Sequence, residues 1–367
     1  MAASASCFSS LHFSTASFTW SSSSAFSSRR RGTFSSCYNP TRRLALVHLG
    51  AAGVPLFPAF GATLMKSDGD VAEAAALGGP ALIAEEEEEE DLGEWVRNDK
   101  RRMLHAVYNV GDLDKTIKFY TECLGMKLLR RRDIPEDGYG NAFLGYGPED
   151  SNFTVELTYN YGVNKYDIGN GFGYFGVSVG DVSKTVDLVK AKGGRVTREP
   201  EPSNEGDGVN RVIAFVEDPT GYQFKLLEGL PTREPLCRVM LRVGDLGRSI
   251  RFYEKAYGME LFLRKDDPDL KYSTALMCYG PEGKNPAVEL TYNYGVTEYD
   301  KGNAYTQIAI GTNDVYKTAK AVSQYRGKIV REPGPLPILN TKITACLDPD
   351  GWKSAFVDNA DFQKELE

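Results

Sequence analysis

The sequence predicts an α+β fold of four βαβββ modules, and three observations carry the prediction. Residues 155–163 and 288–296 both read VELTYNYGV, and their surroundings repeat as well. NVGDLDKTIKFYTECLGMKL at 109–128 matches RVGDLGRSIRFYEKAYGMEL at 242–261, and EDPTGY at 217–222 matches LDPDGW at 347–352. Self-similarity on this scale marks two fused copies of one domain. Finally, VGDL at 110–113 returns as VGDV at 179–182, so each copy divides again into two smaller modules.

The first module gives the order of elements. MLHAVYNV (103–110) alternates like a strand. Asp112 is placed to cap a helix whose apolar residues Ile117, Tyr120 and Leu124 fall at helical spacing, and Gly125 ends it. KLLRRRD, NAFLGYG and FTVELTYN then read as three strands separated by Pro and Gly turns. The second module repeats this with FGVSVG, the helix DVSKTVDLVKAKG ended by Gly193 and Gly194, and the strands RVTREP, RVIAFVED and QFKLLE. Four such modules pair into two curved sheets, each a cup whose inner face receives alternate strand residues.

Composition sets the boundaries. Residues 1–67 contain no Asp or Glu, many Ser, and the basic clusters Arg29–Arg31 and Arg42–Arg43, which is the composition of an organelle transit peptide. It points to a chloroplast, or to the cytosol if the leader does not function. The uncharged stretch 44–65 is broken by Gly, Pro55, Pro58 and His48, which argues against a membrane helix. Residues 68–95 are expected to be an acidic linker, followed by domains at 96–229 and 230–367. The formal charge of −7 resides in Glu85–Asp91, and the near-neutral remainder gives no nucleic-acid surface. None of the six cysteines forms a Cys-x-x-Cys pair, so they read as reduced thiols, not a zinc ribbon or redox site.

The order MLH, GDLD, FYTECLGMKLL, GYGPED, VELTYNYG, GFG-x-FG and EDP-x-GY resembles glyoxalase I (lactoylglutathione lyase) of the vicinal oxygen chelate superfamily. The similarity is to the two-domain plant type and runs over residues 95–367. It implies two glyoxalase-like domains in one monomeric chain. It also implies a proton transfer that turns the hemithioacetal of methylglyoxal and glutathione into S-lactoylglutathione through a metal-stabilised enediolate.

The resemblance further implies two constellations, each drawing ligands from both halves. One takes His105, Glu156, Gln307 and Ala355, and so offers at most three donors, a weak divalent site. The other takes Tyr174, Lys225, Arg238 and Glu289, where the family pattern has His, Glu, Gln and Glu. Two cations there disfavour a metal. Among substrate contacts, Asn160, Asn293 and Arg242 are retained. Asn109 replaces a family arginine, and the glutathione loop, PSNEGDGVNR at 202–211, has lost its lysines.

These changes favour a derived isomerase working without metal, cofactor or glutathione. Glu289 would be its base, with Lys225, Arg238 and Tyr174 stabilising an enolate of an α-hydroxyketone, such as a specialised plant metabolite. The alternatives are lactoylglutathione lyase activity through His105 and Glu156, or a non-catalytic binding protein.

Overall fold

All four βαβββ modules form in the computed structural model, which describes residues 92–204, 209–229, 232–281, 283–336 and 340–367. The leader and most of the acidic linker lie outside the described residues. Module one comprises β1 (Arg102–Asn109), α2 (Leu113–Glu122), β2 (Lys127–Ile134), β3 (Tyr139–Gly145) and β4 (Thr154–Asn160), preceded by α1 (Leu92–Asn98). Module two is β5 (Phe172–Val179), α3 (Val182–Ala191), β6 (Arg195–Asn204), β7 (Asn210–Glu217) and β8 (Gln223–Glu228). Module three is β9 (Leu236–Arg242), α4 (Leu246–Lys255), β10 (Glu260–Asp267), β11 (Tyr272–Cys278) and β12 (Ala287–Asn293). Module four is β13 (Tyr305–Thr312), α5 (Val315–Gln324), β14 (Lys328–Pro335), β15 (Lys342–Leu347) and β16 (Lys353–Asp358), and α6 (Asn359–Leu366) follows it directly.

The module helices start for one repeated reason. Asp112, Asp181, Asp245 and Asp314 each sit in extended backbone and accept from the amide three residues on. Such a cap is worth about 1 kcal/mol. Two helices depart from the sequence reading. α1 begins inside the segment read as linker 68–95: Val96 is buried and Trp95 lies 5.3 Å from the Arg101 guanidinium, so the fold begins before residue 96. α6 is the other, and its buried residues are Phe362 and Glu365.

The strands make two eight-stranded sheets. The first runs β14-β15-β16-β13-β1-β4-β3-β2 and the second β10-β11-β12-β9-β5-β8-β7-β6. Each cup therefore joins one module from each half of the chain, and the halves 96–229 and 230–367 are not themselves the cups. Antiparallel seams β1–β13 and β5–β9 make the joins.

Both seams are bulged. Met103 pairs with Ile310 but His105 with Ala309, so Leu104 is an extra residue, and Thr306 is extra on the facing strand before Gln307. In the second seam Gly173 is extra before Tyr174, and Cys237 before Arg238. A bulge re-aims the side chains beside it. At Gly173 the strand packs closely on Met240: a Cβ would lie 2.2 Å from Met240 Sδ, so a larger residue there would have to displace that side chain.

Behind the cups lies an aromatic core shared by the sheets. The Tyr108 ring is 4.8 Å from Phe175 and 4.6 Å from Tyr222, and Phe172 stacks on Tyr305 at 5.1 Å. Two buried aspartates tie the repeated DP turns to it. Asp218 Oδ1 accepts from the amides of Thr220, Gly221 and Tyr222, each at 2.8 Å, and Oδ2 from Tyr120 Oη at 2.8 Å. Asp348 repeats this with the Asp350 and Trp352 amides and Tyr253 Oη. Asp218→Ala strips several buried donors of their acceptor, so a loss of roughly 2–4 kcal/mol is expected in urea unfolding, with the m-value unchanged.

Candidate active site

The second cup gathers the four residues that the sequence groups together. Tyr174 stands on β5, Lys225 on β8, Arg238 on β9 and Glu289 on β12, all buried. The parallel register places Lys225 beside Gly176 and Glu289 beside Met240. Tyr174 Oη donates to Glu289 Oε2 at 2.7 Å, and Arg238 Nη1 lies 3.6 Å from the same oxygen. Lys225 Nζ is 3.5 Å from Tyr174 Oη and 5.3 Å from the ring centroid. Tyr174 packs edge-on against Phe215 at 5.5 Å.

These residues floor a cavity of about 510 Å³. Arg242 and Asn293 line it as well. The Arg242 guanidinium also donates to the Asn170 and Phe172 carbonyls at 2.8 and 3.0 Å, so it holds backbone as well as facing the cavity. The donor set of this cup does not suit a divalent cation. Two cationic side chains and a phenol surround its one carboxylate at the ligand positions, and like charge repels a metal there.

The first cup is built differently. His105 on β1 and Glu156 on β4 are fully buried, with His105 Nε2 at 3.4 Å from Glu156 Oε2. Gln307, also buried, stands on β13 opposite Val107, whose other neighbour is Glu156. Ala355 on β16 pairs with Ala309, the partner of His105. The ligand positions thus meet on one inner face, and Ala355 contributes only a methyl group.

Burial, with Arg130 and Arg102 adding to it, pushes the His105 pKa down to about 3, so the imidazole is neutral, the form that ligates a metal. Burial pushes the Glu156 carboxyl up to about 7, opposed mainly by a hydrogen bond from Asn141 Nδ2 to Oε1 at 2.8 Å. The other oxygen, Oε2, is buried without a hydrogen bond among the described residues. That is a costly state unless a cation occupies the space beside it. His105, Glu156 and Gln307 therefore fit a divalent ion with three donors.

Several groups here have no counterpart in the sequence reading. The Phe143 ring meets His105 edge-on at 5.5 Å, and the Arg130 guanidinium lies 3.8 Å above Phe143. Arg130 is clamped by both Glu149 oxygens at 2.6 and 2.7 Å. Phe362 of α6 approaches His105 at 6.3 Å. Asn141 and Phe143 were legible by the two-residue period that puts them on the Glu156 face of the sheet. Asn160 ends β4 in a bond to Tyr166 Oη at 2.8 Å, away from the cavity of the second cup.

The pattern of the Glyoxalase/Bleomycin resistance protein/Dioxygenase superfamily matches residues 102–226 and 236–356. The chain is 72% identical over 279 residues to a probable chloroplastic lactoylglutathione lyase of Arabidopsis thaliana, covering 76% of this chain and 79% of that one. It is 62% identical to a lactoylglutathione lyase of Oryza sativa, covering 75% and 95%. The crystal structure of glyoxalase I from Zea mays superimposes with a TM-score of 0.72 at 62% identity, over 74% of this chain and 98% of the other.

These relatives overturn the α-hydroxyketone isomerase centred on Glu289, because proteins this similar along most of their length are lactoylglutathione lyases. The expectation of an enzyme without cofactor falls with it, since glyoxalase I enzymes depend on a metal and glutathione. The physical reason is that the damage is confined to one cup. Changes at Tyr174, Lys225 and Arg238 leave the His105–Glu156 pair of the other sheet untouched.

The contrast between the cups is testable. Tyr174→His, Lys225→Glu and Arg238→Gln together give Glu289 a full donor set. The triple variant is expected to carry one more bound metal per chain than the native protein by elemental analysis, and each single variant to carry no more.

Proposed function

The chain belongs to the Glyoxalase/Bleomycin resistance protein/Dioxygenase superfamily, and from that premise we propose that it is a lactoylglutathione lyase. Its substrate is the hemithioacetal of methylglyoxal and glutathione, and its working site is the first cup. The observation that carries the assignment is the buried His105–Glu156 pair at 3.4 Å, with a neutral imidazole and a carboxylate oxygen open to a cation. His105, Glu156 and Gln307 would hold the metal. When bound, a divalent ion supplies Lewis-acid stabilisation of the charge that develops as the substrate loses its proton.

The remaining work falls to the chain. Asn141 fixes one Glu156 oxygen and so aims the other toward His105. The Glu156 carboxylate would take the proton from the carbon beside the carbonyl and return it to the adjacent carbon. Phe143 and Phe362 flank the imidazole and exclude water. Residues 1–67, with the composition of a transit peptide, support action in the chloroplast, in keeping with the Arabidopsis relative.

Thioester formation from methylglyoxal and glutathione, followed by ultraviolet absorbance, tests this. Chelator is expected to abolish turnover and an added divalent cation to restore it. Glu156→Gln keeps the shape but removes the base, and is expected to cost roughly 10²–10⁴ in rate. Glu289→Gln is expected to leave most of the rate intact, and an unaltered Glu156→Gln enzyme would place the chemistry elsewhere.

A further inference from the structure

We propose that the second cup is a binding site for an organic carboxylate with an apolar body, separate from the chemistry of the first cup. The inference goes beyond the proposed function and does not depend on it. The cavity of about 510 Å³ has the size of a site for a small organic molecule.

Its floor is polar and buried. Lys225 and Glu289 are 7% exposed and Arg238 5%, so charges there are screened less than in water. Among Tyr174, Lys225, Arg238 and Glu289 the cations outnumber the carboxylate two to one. The short bond to Glu289 comes from Tyr174 Oη at 2.7 Å, whereas Arg238 Nη1 stands 3.6 Å from the same oxygen, beyond hydrogen-bond length. Lys225 Nζ lies 3.5 Å from the phenol oxygen. A guanidinium fork with an ammonium on the same floor matches a carboxylate that accepts parallel hydrogen bonds.

The charged groups of the wall are engaged with the wall itself. Arg198 pairs with Glu201, Lys265 Nζ donates to the Asn204 carbonyl at 2.8 Å, and Asp267 accepts from the Leu270 amide at 3.0 Å. Arg242 holds the Asn170 and Phe172 carbonyls. Between them the lining is apolar, with Ile213, Phe215, Met240, Leu263 and Leu276, and Phe215 meets the Tyr174 ring edge-on. A fitting ligand therefore has one anionic end for the floor and an apolar body for these side chains. Glutathione, a charged peptide with little apolar surface, suits that lining poorly.

The test titrates 3-phenylpropionate into the full chain carrying methyl-labelled methionine and follows it by NMR. The methyl of Met240, which lines the cavity, is expected to shift with a dissociation constant of about 1 mM or tighter, while Met103, buried in the shared core, stays unchanged. The neutral isostere 3-phenylpropionamide is expected to bind at least about tenfold more weakly, and Arg238→Gln to weaken the acid by at least about tenfold. Arg238→Lys keeps the charge without the fork and is expected to recover part of the affinity, and His105→Ala in the first cup to leave it unchanged. A Met240 methyl unmoved at about ten times that concentration overturns the proposal. So does an amide that binds as well as the acid, or binding that is lost with His105→Ala. Inorganic phosphate or glutathione binding more tightly than 3-phenylpropionate overturns the choice of an apolar carboxylate. Should Arg238→Gln fail to fold, the comparison of acid and amide on the native chain decides.

Discussion

The bulged seams between first strands are the constraint on which both sites depend. His105, Gln307, Tyr174 and Arg238 each follow the extra residue of a bulge, on a strand that crosses from one half of the chain to the other. A regular antiparallel pair would alternate its side chains strictly between faces. The bulges break that alternation at the four positions where a side chain must enter a cup. Because each seam joins a strand from either half, no ligand set can be assembled within one half alone. The fused duplication thus fixes what an active site here can be made of.

The modules were legible because their signals are local and repeated. A capping aspartate, an amphipathic helix and three alternating strands occur four times, and each repetition strengthens the others. Convergence of Tyr174, Lys225, Arg238 and Glu289 was legible too, through the family pattern. α6 was not, although Asp358, Phe362 and Leu366 carry a cap and helical spacing, because it lies beyond the last element of the repeat. Nor was the clamp of Arg130 by Glu149 over Phe143. It depends on strand pairing across a hairpin, which no single stretch of sequence reports.

Three substitutions, at Tyr174, Lys225 and Arg238, are too local to decide the function of the whole chain. Two buried cations in the second cup argue against a metal in that cup, and the side-chain geometry there supports the argument. They say nothing about the first cup, whose floor lies on another sheet. The charges that act on His105 and Glu156 are Arg130, Arg102, Arg132 and Glu149, none of them a ligand-position residue of the second cup. An exclusion local to the second cup does not extend to the whole chain. A shared aromatic core explains how one cup can change while the other endures. The rings of Tyr108, Phe172, Phe175 and Tyr222 stand behind both floors, so neither sheet relies on its own ligands for stability.

The strand order also dictates a sequence of assembly. The second sheet uses strands from β5 to β12, an unbroken middle stretch of chain in which Phe172 pairs with Leu241. The first sheet must bring its two ends together, pairing Arg102 with Gly311. Closing the longer loop costs more entropy, and contacts distant in sequence form late. Synthesis runs the other way, delivering β1 to β4 before anything they can pair with across the seam. Until β13 emerges, β1 presents an open edge of unpaired amides and carbonyls, the kind of surface that invites pairing with other chains. The first module to be made is the last to find its partner, and the nascent chain carries that exposed edge through most of its translation.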